Sequence, residues 1–243
     1  MQDSAHYTTL IDDAFDTIHR FDPTAKTVGP SVIDFEWFYT LYYNHLAKDR
    51  FDVANALLYV DRVREPENEQ HGFDTEAKIR LFKAIAPEKP LWITEVNWPL
   101  KNQGAYKPTS NKEAVSEAHY RDYMARYLVM ALSDGYVDRV YWWQLLAKGY
   151  GLIDHLDLRR RPAFRAFGTL VKTLEGSVPE GKSREGGLYD YRFAKGDKRF
   201  HVFWTRDGRS RPIAGAFRCI DLNGTVVPTR KTSPTPIICE EKP

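Results

Sequence analysis

Residues 91–99 read LWITEVNWP, an apolar run that ends with an acid, an amide and a tryptophan. The run from Leu91 to Val96 is typical of a short strand that is covered on both faces, as in a parallel sheet. Glu95 comes at its carboxyl end, where a buried carboxylate without a partner would be costly. The stretch therefore predicts a parallel strand whose acid either serves a functional site or forms an ion pair at the sheet rim, for instance with Arg62.

Strand patterns and helix patterns alternate around this stretch. Apolar residues at helical spacing over residues 7–18 predict a helix that Asp22-Pro23 ends. Apolar runs predict three further strands, at residues 27–33, 51–60 and 137–146. The order is a helix followed by four strand–helix units, which implies a parallel sheet with right-handed crossovers.

The sequence also offers a starting residue for the helix after each strand. These residues are Asp34, Asp74, Ser110 in a capping box with Glu113, and Pro162. The helix after Asp34 would carry Phe35, Phe38, Leu41 and Tyr42 on one face. The alternation by itself fits either an open doubly wound sheet or half of a closed barrel. No glycine-rich phosphate loop follows a predicted strand, which weakens a nucleotide-binding interpretation.

The pattern changes after Gly176. Asp207-Gly208 and Asn223-Gly224 provide tight-turn residues between short apolar segments. These segments predict five strands, at residues 187–194, 199–205, 212–218, 225–227 and 237–239. We therefore predict two domains, an α/β domain at residues 1–176 and a small antiparallel β appendage at residues 177–243.

Composition excludes several classes of partner. The formal net charge is +2, with acids and bases interspersed, whereas proteins that bind nucleic acid carry a clustered basic stripe. The one dense cluster, Arg159–Arg161, we interpret as a solvated loop and helix start. The sequence has no apolar run of about 18 residues, the length that spans a membrane. We predict neither a nucleic-acid partner nor a membrane partner.

The cysteines and histidines of the sequence give little indication of a chemical function. The two cysteines, Cys219 and Cys239, and the absence of a secretory signal pattern in MQDSAHYTTLIDDAF make a reduced, cytoplasmic protein the default expectation. The seven histidines are scattered, and none has a histidine or cysteine at metal-ligand spacing. We predict no metal and no cofactor.

Four segments, in the correct order, resemble glycoside hydrolases of clan A, which are retaining enzymes built on (β/α)₈ TIM barrels. WITEVNWP is similar to their strand seven, VYWWQL to strand eight, FDVANALLYV to strand six, and DPTAKTVGPS to the run from helix four into strand five. The resemblance spans roughly residues 7–175. It implies half of a TIM barrel, with about four βα units that correspond to strands five to eight, followed by the β appendage.

The resemblance implies roles for residues at the strand ends. Glu95 matches the nucleophile, which attacks the anomeric carbon and forms a glycosyl-enzyme intermediate. Tyr59 matches the strand-six aromatic residue that can hydrogen-bond the nucleophile. Trp142 or Trp143 matches the tryptophan that stacks on the sugar, and alternation lets only one of the two face the barrel interior. The remaining candidates for lining the cleft are Asn97, Trp98 and Gln144.

Two departures from the clan pattern affect the expected activity. The clan often carries a histidine two residues before that tyrosine, where this chain has Leu57. The acid/base of the clan belongs to an Asn-Glu pair on strand four, and strands one to four have no counterpart here. The pair Asn68-Glu69 instead follows strand six, in a polar loop that we interpret as solvated. As a hypothesis, Glu67 or Glu69 could substitute as the acid.

The sequence thus predicts a protein of the glycosidase type that binds carbohydrate and is weakly active or inactive alone. Two alternatives stay open: a non-catalytic carbohydrate-binding or scaffold protein derived from a glycosidase, and an unrelated open α/β enzyme that uses Glu95 as a general base. Four βα units leave sheet edges unpaired. We therefore expect a homo-oligomer, or a complex with a separate N-terminal barrel half.

Overall fold

The computed structural model of the protein describes residues 4–32, 36–104, 109–228 and 231–242. The chain divides into two compact units. The first unit comprises Met1–Asp61, Asn68–Val96 and Tyr136–Trp142, and the second comprises Arg62–Glu67, Asn97–Gly135 and Trp143–Pro243. Because the units interleave along the chain, the predicted domain division between residues 176 and 177 stays a prediction.

The first unit contains a three-stranded parallel sheet. Its strands, β1 (Ala54–Leu57), β2 (Leu91–Val96) and β3 (Arg139–Trp142), lie side by side in chain order. Val28 adds a single parallel bridge to Val53, so the strand predicted at residues 27–33 is reduced to one bridge among its described residues. All four side chains of β1 are buried, as expected for a strand covered on both faces.

Three helices accompany this sheet: α1 (Ser4–Phe21), α2 (Trp37–Leu46) and α3 (Thr75–Ile85). The Asp74 carboxylate caps α3 by accepting a hydrogen bond from the Ala77 amide at 2.8 Å, which confirms the predicted start. The cap predicted at Asp34 lies outside the described residues.

The face that α2 buries is not the predicted apolar one. Phe38 and Tyr42 are exposed and Leu41 is half-buried, whereas Trp37, Thr40 and Asn44 are buried. Phe35 lies outside the described residues. Polar side chains occupy the inner face because the Asn44 amide donates to the carbonyl oxygens of Pro30 and Thr40, each at 2.8 Å. Periodicity in apolar residues does not detect a face that is held by hydrogen bonds.

Two helices of the second unit pack against each other: α4 (Glu117–Leu132) and α5 (Pro162–Leu174). Pro162 begins α5, as predicted. The predicted capping box at Ser110 opens only a 3₁₀ turn, Asn111–Glu113, and its side chains bond each other instead of the backbone. The Ser116 hydroxyl starts α4 by accepting from the His119 amide at 3.1 Å.

The second unit also contains a six-stranded antiparallel sheet, with the strand order β4-β5-β6-β9-β7-β8. The strands are β4 (Val178–Glu185), β5 (Leu188–Lys195), β6 (Lys198–Thr205), β7 (Phe217–Ile220), β8 (Val226–Val227) and β9 (Ile237–Glu241). The antiparallel sheet expected after Gly176 is present. Strand β4 was not predicted. Of the strand predicted at residues 212–218 only β7 forms, and Pro212 makes one bridge to Lys231.

A disulfide joins Cys219 on β7 to Cys239 on β9, which face each other in the strand register. The bond packs in a hydrophobic cluster with Phe203, Ile213 and Ile237. The structure thus pairs the two thiols that we expected to be reduced, while the cytoplasmic location stays a prediction.

A buried histidine links three strands of the same sheet. The His201 ring on β6 contacts the Asp190 carboxylate on β5 at 2.8 Å and the Glu241 carboxylate on β9 at 2.9 Å. Burial acts to lower the pKa of His201, but the hydrogen bonds to the two carboxylates outweigh it and the net direction is upward. Protonated His201 can donate to both neighbours at once.

Within the described ranges, no helix is long and apolar enough to cross a membrane. The described residues also contain no group of three or more metal-ligating side chains that could hold an ion.

Candidate active site

The structure brings together Glu95 and Tyr59, two residues that the sequence singled out. Glu95 is half-buried at the carboxyl end of β2, and Tyr59 follows β1, the neighbouring strand. The Tyr59 hydroxyl donates a hydrogen bond to Glu95 Oε1. Carboxyl ends of parallel strands lie at one edge of the sheet, which is the edge where α/β folds gather functional groups.

The backbone of β2 changes register just before Glu95. Ala56 of β1 lies opposite Ile93, but the next residue, Leu57, lies opposite Glu95. Thr94 is therefore an extra residue without a partner in the ladder, which defines a β-bulge. Thr94 and Glu95 are both half-buried, whereas Val96 is fully buried.

A chain of buried amides lies next to this bulge. The Thr94 hydroxyl donates to Asn55 Oδ1 at 2.5 Å. Asn55 Nδ2 donates to the Gly29 carbonyl at 2.9 Å, and the Asn55 backbone amide donates to Asn44 Oδ1 at 3.0 Å. A Cβ on Gly29 would come within 2.5 Å of Asn44 Oδ1, so this close approach requires glycine.

Sequence reasoning missed Asn44 and Asn55. The available signal was Asn55 within the apolar run FDVANALLYV, since a buried amide needs hydrogen-bond partners. Its partners lie on three different segments, so the run itself could not identify them.

The tryptophans near β3 fall in different units. Trp142 is half-buried at the end of β3 and pairs in register with Val96, in the same unit as Glu95. Trp143 belongs to the second unit, where its ring packs edge-on against Tyr150 with 5.1 Å between centroids. Gln144 is exposed and is joined to Trp143 by a cis peptide bond.

Asn97 and Trp98, which we predicted to line the cleft, are both buried. Trp98 is 0% exposed, and its indole N–H donates to the Arg64 carbonyl at 2.9 Å. Asn97 is 1% exposed, and its amide donates to the Tyr150 carbonyl at 3.1 Å. Both side chains use their polar atoms inside the second unit.

The polar loop that contains Glu67 and Glu69 follows β1. We interpreted this loop as solvated, and the structure corrects that interpretation in part. Glu67 is buried in the second unit, where Oε1 accepts from the Trp204 indole N–H at 2.7 Å and lies 3.4 Å from the Arg126 guanidinium. Burial raises the pKa of Glu67, and the Arg126 charge opposes this only in part. Glu65 pairs with Arg206 at 2.6 Å. Glu69, in the first unit, is exposed.

The first unit has an open cavity of about 390 Å³ at the amino ends of its strands, lined in part by Lys26, Asp52, Trp92 and Arg139. Glu95 lies at the opposite end of β2. Because function gathers at the carboxyl ends of parallel strands, we assign this cavity no role.

Solved structures that resemble this chain include glycoside hydrolases. A family 39 glycoside hydrolase from the gut symbiont Bacteroides cellulosilyticus WH2 matches with a TM-score of 0.76 and 15% sequence identity, over 97% of this chain and 55% of that one. A family 30 endoxylanase from Clostridium papyrosolvens C71 matches with a TM-score of 0.60 and 11% identity, over 97% and 60% of the two chains. A family 51 arabinofuranosidase from Xanthomonas axonopodis pv. citri matches with a TM-score of 0.61 and 12% identity, over 97% and 63%.

No protein-family model and no curated protein matches the sequence. The chain spans between 55% and 63% of the length of the three solved structures. At these identities the likeness concerns the fold alone, which is a mixed α/β fold like that of these glycoside hydrolases, with a separate antiparallel sheet. The coarse fold expected from the four sequence segments is confirmed.

Proposed function

We propose that this chain is a glycoside-hydrolase-type protein of the retaining kind, in which Glu95 is the nucleophile that acts on a carbohydrate. The observation that supports this role is the half-buried carboxylate at the carboxyl end of β2, bonded by Tyr59, in a fold shared with glycoside hydrolases. Because Tyr59 engages Oε1, we assign Oε2 as the oxygen that attacks the anomeric carbon. The glycosidic bond breaks as the new bond forms, and the leaving-group oxygen takes a proton from the acid/base carboxyl group. Water then hydrolyses the glycosyl-enzyme ester.

We propose that either Trp142 or Trp143 stacks on the sugar, and both are half-buried. Trp142 lies opposite the fully buried Val96 in the strand register. The ring of Trp143 packs edge-on against Tyr150. Gln144, which is exposed, remains a proposed sugar contact on sequence grounds alone.

We propose that the acid/base carboxylate comes from outside this chain. Retaining hydrolysis needs two carboxyl groups about 5–5.5 Å apart. Glu67 is occupied by Trp204 and Arg126, so it does not serve as a substitute. Glu69, which is exposed in the same unit as Glu95, stays the alternative within the chain. The proposed source is a set of βα units in a separate N-terminal barrel half or in a second copy of the chain. Alone, the chain is then weakly active or inactive.

Exposed apolar side chains support association with such a partner. On α1, Leu10 is 63% exposed, Ile18 is 43% exposed and Phe21 is 80% exposed. Their spacing puts them on one side of the helix. Contiguous apolar surface of this kind marks interaction sites on soluble proteins.

A non-catalytic carbohydrate-binding or scaffold protein is the second candidate function. The observation that favours it is the burial of Glu67, which removes one of the two acids that could have completed the pair. Such a protein would keep the aromatic surface and the Glu95 contact without turnover.

Covalent labelling separates the two candidates. A 2-deoxy-2-fluoro glycosyl fluoride carries a leaving group that departs without acid assistance, so a competent nucleophile is labelled even without an acid/base. We expect mass spectrometry of peptides, after incubation with a panel of such gluco-, xylo- and arabino-configured fluorides, to find the adduct on Glu95 and none in Glu95→Gln. Binding of the parent sugars without an adduct supports the non-catalytic protein. Neither binding nor an adduct contradicts both candidates.

A further inference from the structure

We infer that Thr94 and Asn55 are positioning residues for Glu95: their hydrogen bond holds the β-bulge that turns the Glu95 carboxylate toward Tyr59. Only the catalytic consequence of this inference rests on the function proposed above. The orientation of Glu95 can be tested without any sugar.

The bulge is evident from both strands that flank β2. On the β1 side, one step from Ala56 to Leu57 corresponds to two steps from Ile93 to Glu95. On the β3 side, two steps from Val140 to Trp142 correspond to three steps from Ile93 to Val96. One residue of β2 is therefore in excess with respect to each neighbour, and it lies between Ile93 and Val96.

Side-chain burial shows what the extra residue does. Leu91 and Ile93 are buried and Trp92 and Thr94 are half-buried, the alternation of an ordinary strand. Uninterrupted alternation would place Glu95 on the buried side with Leu91 and Ile93. A carboxylate on that side would need a partner to offset its loss of hydration. The bulge instead keeps Glu95 half-buried and returns Val96 to the buried side.

The hydrogen bond from Thr94 fastens this bulge to a fixed group. Asn55 is 4% exposed, and its amide nitrogen bonds the Gly29 carbonyl at 2.9 Å, which sets the direction of its oxygen. Asn44 holds the Asn55 backbone amide at 3.0 Å. The Thr94 hydroxyl thus bonds an oxygen whose position is set by two other chain segments.

Loss of the Thr94 hydroxyl should release the bulge, and with it the contact between Glu95 and Tyr59. This contact has a direct chemical readout, because a phenol whose hydrogen is committed to a carboxylate reacts slowly with acylating reagents. The rate of Tyr59 acylation by N-acetylimidazole, followed by peptide mass spectrometry, therefore reports whether Glu95 is in place. Glu95→Ala gives the rate for a released Tyr59.

We expect Thr94→Val to raise the Tyr59 acylation rate at least threefold, toward the Glu95→Ala rate. Thr94→Ser, which keeps the hydroxyl, should stay within about twofold of the wild type. Should the valine variant not fold, Thr94→Ala carries the same expectation. Folded Thr94→Val with the wild-type rate overturns the inference. An unchanged rate in Glu95→Ala also overturns it, because the contact that the bulge is said to hold would then be absent.

The catalytic consequence is tested by the glycosyl fluorides. We expect Thr94→Val to lower the maximal rate of Glu95 labelling about tenfold or more, at an unchanged half-saturating concentration, and Thr94→Ser to restore the rate. A merely structural role would lower the melting temperature and leave the labelling rate of the folded protein unchanged. If the wild type gives no adduct, the proposed function fails, whereas the acylation rates still decide whether Thr94 positions Glu95.

Discussion

Replacing Arg126 by methionine should destabilise the folded protein, because it leaves the buried Glu67 carboxylate without its positive partner. Both side chains are 1% exposed and their charged atoms lie 3.4 Å apart. Removing one partner of a buried ion pair leaves an uncompensated charge, which costs about 3–5 kcal/mol. We expect Arg126→Met to lower the free energy of unfolding by about that amount, measured at pH 7 by urea denaturation.

The double variant Arg126→Met/Glu67→Gln supplies the control. Glutamine keeps an oxygen that accepts from the Trp204 indole N–H, which now bonds Glu67 at 2.7 Å, and it brings no charge. Since no charge is then left unpaired at this position, we expect the double variant to recover about half or more of the lost stability.

The loss of unfolding free energy caused by Arg126→Met should also become smaller as the pH falls. Burial raises the pKa of Glu67 above the ordinary value of 4.5 for a glutamate, and removal of the opposing Arg126 charge raises it further. The folded protein then holds a proton that the unfolded chain releases, so the penalty is present above the folded pKa and disappears below the unfolded value. A loss of less than about 1 kcal/mol at pH 7, or a double variant no more stable than Arg126→Met, would refute this reasoning.

Three further predictions concern other parts of the chain. The pKa of His201 is raised in the folded state, so the stability that protonated His201 contributes is present below pH 6.5 and lost as the pH rises through the pKa of the folded state. Melting temperatures at pH 5 and pH 8 should therefore differ more in the wild type than in His201→Gln. Replacing Cys219 and Cys239, which are 20 residues apart, by serine should lower the free energy of unfolding by about 3 kcal/mol in urea, in line with the loop closed by the bond. Phe21→Glu should shift the proposed oligomer toward monomer in light scattering, and a wild type that is already monomeric would contradict the proposed association.

Local patterns located all three parallel strands of the sheet but gave the limits of only one. The predicted limits of Leu91–Val96 agree with β2. The apolar runs at residues 51–60 and 137–146 continue beyond the ends of β1 and β3, because an apolar run does not show where hydrogen bonding to the neighbouring strand stops. The strand β4 was missed because its sequence, VPEGKSRE, lacks alternating apolar residues.

The site was harder to predict because distant partners decide it. Glu67 bonds Trp204, which is 137 residues away in sequence, so its loop looked solvated when considered alone. The directions of Thr94 and Glu95 depend on a bulge whose hydrogen-bond partner, Asn55, is 39 residues from Thr94. The sequence was enough to predict Glu95 at a strand end, but the side of the sheet that Glu95 faces depends on contacts between distant segments.

The interleaving of the two units limits how this protein can be divided. The chain passes from one unit to the other five times, and the short segment Arg62–Glu67 belongs with residues more than a hundred positions later. Deleting the antiparallel strands would take away Trp204 and leave Glu67 without its indole donor, and would also remove Thr235, which donates to Asp122 on α4 at 2.8 Å. We therefore expect an exchange of those strands between related proteins to preserve folding better when residues 62–67 are exchanged with them.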